Sequence, residues 1–127
     1  MLLEHLHLPS ITVAEGNTTY HSEGNCLIET ATDRLVLGCK TSVIPAYTTS
    51  IGDWAFYYCM ELPSVTLPSF LTRIGTQAFK ECESLASITF TGTLAEWAAV
   101  EKEDRWAEFV PAEVVHCMDG DAPIEEE

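Results

Sequence analysis

The sequence predicts a mostly-β solenoid of the α/β kind, with short parallel strands on one face and tight turns on the other. Two observations predict it: residues 42–90 repeat with a period of 23, and one strand motif occurs three times in the chain. A period of this size is typical of solenoids, because so small a unit can bury its apolar face only against a neighbour. The repeated pairs are Ile51-Gly52 with Ile74-Gly75, Ala55-Phe56 with Ala78-Phe79, and Cys59 with Cys82.

The strand motif reads leucine, any residue, serine, apolar, threonine, apolar, and it lies at residues 8–13, 62–67 and 85–90. Its alternation with a period of two is the pattern of a strand with one buried face. Stacked in parallel, the copies would align their hydroxyl groups in rows, which are the main candidate recognition surface. Threonine also suits an exposed strand position without any ligand. The candidate residues are Ser10, Thr12, Ser64, Thr66, Ser87, Thr89 and Thr91.

The first unit, residues 8–44, is irregular and carries an insertion. Cys26–Glu29 and Arg34–Leu37 are predicted strands, and the short polar segment between them predicts that they form a β-hairpin. Gly24 and Asn25 favour a turn before the hairpin, because both residue types tolerate a positive φ. Residues 42–44 are then expected to rejoin the main sheet.

Two regular units occupy residues 45–90. A proline ends each main strand, because proline has no amide hydrogen to donate to a ladder. The glycine that follows in each unit permits a tight bend. Apolar residues after this glycine predict a single helical or 3₁₀ turn on the far side of the solenoid. Phe56 is expected to stack on Phe79 in the core.

Residues 91–118 are predicted to form a C-terminal cap made of a helix and a strand. Thr93 and Glu96 have the spacing of a capping box, so a helix is expected from Thr93 to about Lys102, with Trp97 covering the last repeat. A final strand is expected at residues 113–117. Residues 1–118 would thus form one repeat domain, and residues 119–127 an acidic flexible tail.

The charge of the chain excludes several classes of partner. Six lysines and arginines against twenty aspartates and glutamates give a formal net charge of -14 at pH 7. Nucleic acids and anionic membrane surfaces are bound largely through basic side chains, so neither is an expected partner. The first residues lack the pattern of a signal peptide, and no segment is long and apolar enough for membrane insertion. Two interpretations remain: a cytoplasmic protein, or a fragment of a longer secreted one.

The two regular units resemble a known family. Residues 51–68 and 74–90 both read isoleucine-glycine, alanine-phenylalanine and cysteine at fixed spacing, followed by the strand motif. They are similar to the BspA-like, bacterial surface-antigen class of leucine-rich repeats, and the segments 90–97 and 110–117 are similar to the ends of such arrays. The resemblance implies a curved leucine-rich-repeat solenoid on the cell surface or secreted, with a role in adhesion and protein recognition.

The sequence contains no residue pattern that predicts a cofactor, a metal or catalysis, and the chain is expected not to be an enzyme. Five cysteines without a close pair are expected to be free, mostly buried thiols. His5 and His7 have the alternation of two zinc ligands, but no third ligand accompanies them. Trp54, Tyr57 and Tyr58 form a second candidate surface, because aromatic residues are enriched at interfaces.

The expected function is therefore a non-enzymatic module that binds a protein or a glycan. Two alternatives remain: a structural spacer or self-associating segment, or an intracellular interaction scaffold. The chain begins in the middle of a unit, which would leave an open apolar end. That end suggests either a fragment of a longer array or end-to-end association with a second copy through the N-terminal end.

Overall fold

The computed structural model describes residues 11–124 of the chain. These residues form a β-rich repeat fold with ten short strands and one helix. The elements are β1 (Tyr20–Glu23), β2 (Cys26–Glu29), β3 (Arg34–Leu37), β4 (Ser50–Ile51), β5 (Ser64–Leu67), β6 (Arg73–Ile74), β7 (Ser87–Phe90), α1 (Leu94–Ala99), β8 (Glu101–Lys102), β9 (Val114–Cys117) and β10 (Gly120–Pro123).

The strands form two sheets. One sheet has the order β1-β2-β3-β4-β6-β8, and its last four strands run parallel. The other has the order β10-β9-β7-β5, in which β9, β7 and β5 run parallel and β10 is antiparallel to β9. The strand motif repeats in register, because Ser64 lies opposite Ser87 and Leu67 opposite Phe90. The predicted parallel strands of the two regular units are confirmed.

Along the chain, a turn segment connects each of β4, β6 and β8 to the next strand of the other sheet. The three turn segments stack on one another through backbone hydrogen bonds, and they are residues 53–58, 76–81 and 104–109. Phe56 N donates to Ala78 O, and Phe79 N donates to Trp106 O, both at 2.7 Å. Trp54 and Tyr58 have positive φ angles of 61° and 62°. A helical turn needs negative φ angles throughout, so these left-handed residues prevent one from forming. The prediction of a helical or 3₁₀ turn in this segment is wrong. The same conformation recurs at Gln77, Glu81, Arg105 and Phe109.

Each unit of the repeat fold is called a coil, and the two regular units are the first two. The C-terminal region contains a third coil, residues 91–117, that the sequence did not reveal. Ile74 of β6 lies opposite Lys102 of β8, and Ile88 of β7 lies opposite Val115 of β9. The third coil has a lysine where the preceding coil has isoleucine, so its apolar pattern is lost while its backbone pairing is kept. Residues 91–118 are therefore more than a cap, because they continue both sheets.

Helix α1 is an insertion at the start of this third coil. Thr93 Oγ1 accepts from Glu96 N at 3.1 Å and Glu96 Oε1 accepts from Thr93 N at 2.9 Å, so the predicted capping box is confirmed. The helix ends at Ala99 rather than near Lys102, because Val100 is extended, with φ -71° and ψ 127°. Lys102 Nζ donates to the carbonyls of Trp97 and Val100, both at 2.8 Å, and thus satisfies the end of the helix.

The N-terminal insertion is the predicted hairpin with one more strand. β2 and β3 pair antiparallel as expected, and β1 pairs with β2 across the turn at Gly24 and Asn25. The prediction for residues 42–44 is wrong, since they form no strand. Ser42 Oγ instead donates to Asn25 O at 2.5 Å, and Val43 N donates to Gly24 O at 2.7 Å. This segment is therefore bound to the hairpin turn.

The predicted flexible tail is also wrong over the residues that the structure describes. Gly120–Pro123 forms β10, which pairs with β9, and Ile124 N donates to Glu113 O at 3.1 Å. Ile124 is buried in the core cluster. β10 pairs with the edge of β9 through backbone groups. Such pairing does not depend on side-chain type, so the acidic composition of this segment did not predict it.

The core runs between the sheets and is lined by aromatic rings. Phe56 stacks on Phe79 with 4.9 Å between centroids and 9° between planes, as predicted. Trp106 meets Phe79 edge-on at 6.2 Å, and Trp97 in turn meets Trp106 at 5.6 Å. Aromatic pairs at these distances add to the stabilisation from apolar burial.

Thr48 is a polar residue in an apolar position of the core. Its backbone N donates to Pro45 O, just as Leu71 N donates to Pro68 O in the next unit. Its side chain is fully buried, and its Oγ1 has no hydrogen-bond partner among the described residues. A buried hydroxyl without a partner costs free energy.

We expect Thr48→Val to raise the free energy of unfolding by about 1 kcal/mol, because valine has the same shape without the hydroxyl. Urea denaturation followed by circular dichroism measures the change. Thr48→Ser is the matched control: it keeps the hydroxyl, loses a buried methyl and should destabilise. A destabilised Thr48→Val variant would show that the hydroxyl has a partner.

Candidate functional site

The exposed face of the four-stranded sheet carries a continuous polar row. Thr66 of β5 lies opposite Thr89 of β7, Thr89 lies opposite His116 of β9, and His116 lies opposite Asp121 of β10. The four residues, called the polar row below, are all at least partly exposed, while Val65, Leu67 and Ile88 point into the core. Ser64 and Ser87 form a second, shorter row on the same face. Alternation along each strand thus separates a polar face from a buried one.

The structure joins only some of the predicted recognition residues. Thr66, Thr89, Ser64 and Ser87 come together as expected. Thr12 lies in a segment without a strand, Thr91 lies beyond the end of β7, and Ser10 is outside the described residues. The Thr91 hydroxyl accepts a hydrogen bond from Ser69 N at 2.9 Å, so it supports a loop instead of extending the row.

Two residues of the polar row were not predicted from the sequence. His116 Nδ1 and Asp121 Oδ1 are 2.9 Å apart, with side chains 50% and 57% exposed. When the neutral imidazole donates Nδ1–H to the carboxylate, Nε2 keeps its lone pair and can accept from a ligand. The third coil lacks the serine and threonine of the motif, so only the alternation of residues 114–117 indicated that His116 faces outward.

The second predicted surface also forms a cluster. The ring centroids of Trp54 and Tyr57 are 6.0 Å apart, as are those of Tyr57 and Tyr58. Trp54 is 46% exposed and Tyr58 is 37% exposed. Both lie on the turn segment 53–58, outside the sheet that carries the polar row. Exposed aromatic rings held by a rigid backbone suit an interface.

The cysteines are free thiols, and all but Cys117 are buried, in agreement with the prediction of mostly buried free thiols. Burial raises the pKa of Cys59 to about 11 and that of Cys82 to about 12. Cys82 Sγ donates to Phe56 O at 3.0 Å. These thiols are therefore protonated at neutral pH and pack as small apolar groups.

Some charged side chains form ion pairs between coils. Arg73 lies between Asp53 and Glu103, with nitrogen–oxygen distances of 3.3 and 3.2 Å. Asp53 Oδ1 also accepts from Thr76 N at 2.9 Å. Within residues 11–124, no three histidine, cysteine or acidic side chains converge on a metal position. His5 and His7 lie outside these residues.

Parallel strands that repeat in register over several coils define the class of β-rich repeat proteins, to which leucine-rich-repeat proteins belong. A family model described as the BspA type leucine rich repeat region, with six copies, matches residues 37–99. Residues 37–99 therefore form a BspA-type leucine-rich-repeat region, as the repeated motifs predict. No curated protein and no solved structure matched the chain. No helix of the described residues is long and apolar enough to cross a membrane.

Proposed function

We propose that this chain is a non-enzymatic binding module that recognises a protein or a glycan at the exposed face of its four-stranded sheet. The repeats would close into a curved solenoid, with α1 and the third coil covering its C-terminal end. The cell surface, or secretion from the cell, is the proposed location. Leucine-rich repeats offer extended surfaces rather than deep pockets, which suits recognition better than catalysis.

The observation that carries the proposal is the polar row of Thr66, Thr89, His116 and Asp121. Four strands in register hold these side chains side by side, and they offer hydroxyl, imidazole and carboxylate groups in sequence. A rigid sheet holds them in place before any ligand arrives, which lowers the entropic cost of binding. Threonines alone would suit any exposed strand, but His116 and Asp121 extend the polar row beyond residues that favour strands.

The test is the double variant Thr66→Lys with Thr89→Lys, assayed on arrays of purified extracellular proteins and glycans. We expect the variant to lose at least about 10-fold in affinity for any ligand of the unmodified chain, because two long side chains would cover the polar row. Gln77→Lys with Ala98→Lys is the matched control, since it adds the same charge on the turn segment and the helix. Equal binding by both variants would contradict a site on this sheet face.

A second candidate function is self-association at the C-terminal end of the stack. Phe109 is 65% exposed there and lines a groove of about 340 Å³ together with other apolar residues. Within residues 11–124, the third turn segment is the last one in the backbone ladder, so a further coil from a second copy would continue it. Sedimentation that shows only monomer up to millimolar concentration would count against this function.

A further inference from the structure

Within residues 11–124, one edge of the four-stranded sheet has backbone groups without partners. β5 is the last strand of the order β10-β9-β7-β5. Leu67 O accepts from Thr91 N at 3.0 Å, which places the peptide groups of Val65 and Leu67 on the β7 side. Successive residues of a strand point their peptide groups to opposite sides, so those of Ser64 and Thr66 face the outer edge. Among the described residues, nothing pairs with them there.

The edge is open because the preceding coil supplies no strand. Residues 42–44 precede Pro45 as residues 65–67 precede Pro68, so in a regular unit they would lie beside β5. They are bound to the hairpin turn instead, through Ser42 and Val43. Ser64 and Thr66 consequently remain exposed. Proteins usually cover or charge such an edge, whereas β5 reads serine, valine, threonine, leucine and carries no charge.

We propose that the open edge of β5 binds an extended, positively charged peptide segment of a protein partner, which adds to the sheet as a further strand. This rests on the proposed function, and it selects protein over glycan as the ligand. Only a polypeptide presents donors and acceptors at the strand spacing that Ser64 and Thr66 require. The added strand would also place its own outward side chains beside Thr66, in line with the polar row.

The charge of the chain selects a basic partner. The net charge is -14, and five of the six basic side chains already contact carboxylates or carbonyls within the chain. The surface therefore has an excess of acidic groups that a lysine- or arginine-bearing segment would complement. Complementary charge raises the association rate and favours a basic strand over an acidic one at this edge.

Amide hydrogen exchange of the full chain, followed by nuclear magnetic resonance, tests the edge directly. The probe is a peptide of alternating valine and threonine with lysines at both ends. We expect the amides of Ser64 and Thr66 to exchange rapidly in the chain alone, while Val65 is protected, and to become protected when the peptide is added. The same peptide with terminal glutamates should bind at least about 10-fold more weakly.

Thr66→Pro removes the outward amide hydrogen and leaves the hydrogen bonds between β5 and β7 in place. We expect it to weaken binding of the lysine-flanked peptide about 10-fold. Thr66→Val is the comparison variant, because it keeps the amide and loses only the hydroxyl, so it should weaken binding of the peptide less than Thr66→Pro does. Circular dichroism verifies that both variants are folded.

Four results would overturn the inference. Protection of Ser64 and Thr66 in the isolated chain would show that another segment of the chain covers the edge, and protection that rises with protein concentration would identify a second copy. Equal binding of a peptide methylated at alternate amides would exclude pairing through the backbone. Unchanged peptide binding by Thr66→Pro, together with loss of array binding in the Thr66→Lys, Thr89→Lys variant, would reject the edge site and leave the proposed function standing.

Discussion

Phe79→Ala is expected to lower the free energy of unfolding by about 3–5 kcal/mol, because it empties a fully buried aromatic site. Phe79 has no exposed surface, stacks on Phe56 at 4.9 Å and meets Trp106 at 6.2 Å. It thus connects the second coil to both of its neighbours. The residual structure around the cavity cannot collapse freely, since each neighbouring ring is held by its own backbone ladder.

Urea denaturation followed by the fluorescence of the buried tryptophans measures this loss. Phe70→Ala is the control, because Phe70 is 68% exposed and its removal should change stability by less than about 0.5 kcal/mol. Phe79→Leu retains most of the volume and keeps the measurement possible if Phe79→Ala fails to fold. Similar effects of the Phe70 and Phe79 substitutions would contradict the packing described here.

Gly75→Ala is expected to destabilise the fold by about 3 kcal/mol through a steric clash between coils. A Cβ at position 75 would lie 2.5 Å from Asp53 N and 2.7 Å from Gly52 C, both backbone atoms, and would also meet Asp53 Oδ1. The two coils would have to separate at the point where Gly75 N donates to Ile51 O at 2.8 Å. Gly75 does not have the positive φ that favours glycine, so close approach of the backbones explains the need for glycine.

Gly52→Ala is a matched control at the same position of the preceding unit. A Cβ there would lie 3.0 Å from Leu35 O, the nearest atom, so a smaller shift would relieve the contact. We expect Gly52→Ala to cost about 1 kcal/mol, and thermal denaturation should rank the unmodified chain first, Gly52→Ala second and Gly75→Ala last. The reverse ranking would show that the coils are spaced differently from the structure.

Features that depend on neighbouring residues in the chain could be predicted from the sequence. Alternation over a few residues predicts β5 and β7, and a fixed period places Phe56 over Phe79. The capping box of Thr93 and Glu96 is readable for the same reason, since its partners are three positions apart. The repeated motif also identified the family, because it combines several residue types at constant spacing.

Features that depend on backbone pairing between distant segments could not be predicted. The third coil stacks on the second through backbone hydrogen bonds such as Phe79 N to Trp106 O. These bonds do not require particular residue types, so the sequence does not show them. Residues 42–44 have a plausible strand sequence, but the hairpin turn at Gly24 competes for their hydrogen bonds. Half of the polar row was missed for this reason, because His116 and Asp121 enter it only through the pairing of β9 and β10.

The left-handed positions of the turn segments separate surface chemistry from architecture. Trp54, Gln77 and Arg105 share one backbone conformation in three successive coils, although they are an aromatic, an amide and a cation. The ladder bonds at these places come from peptide groups, so the side chains are not needed for pairing. Substitutions at these three positions can therefore change the surface chemistry, while the coils beneath keep their spacing.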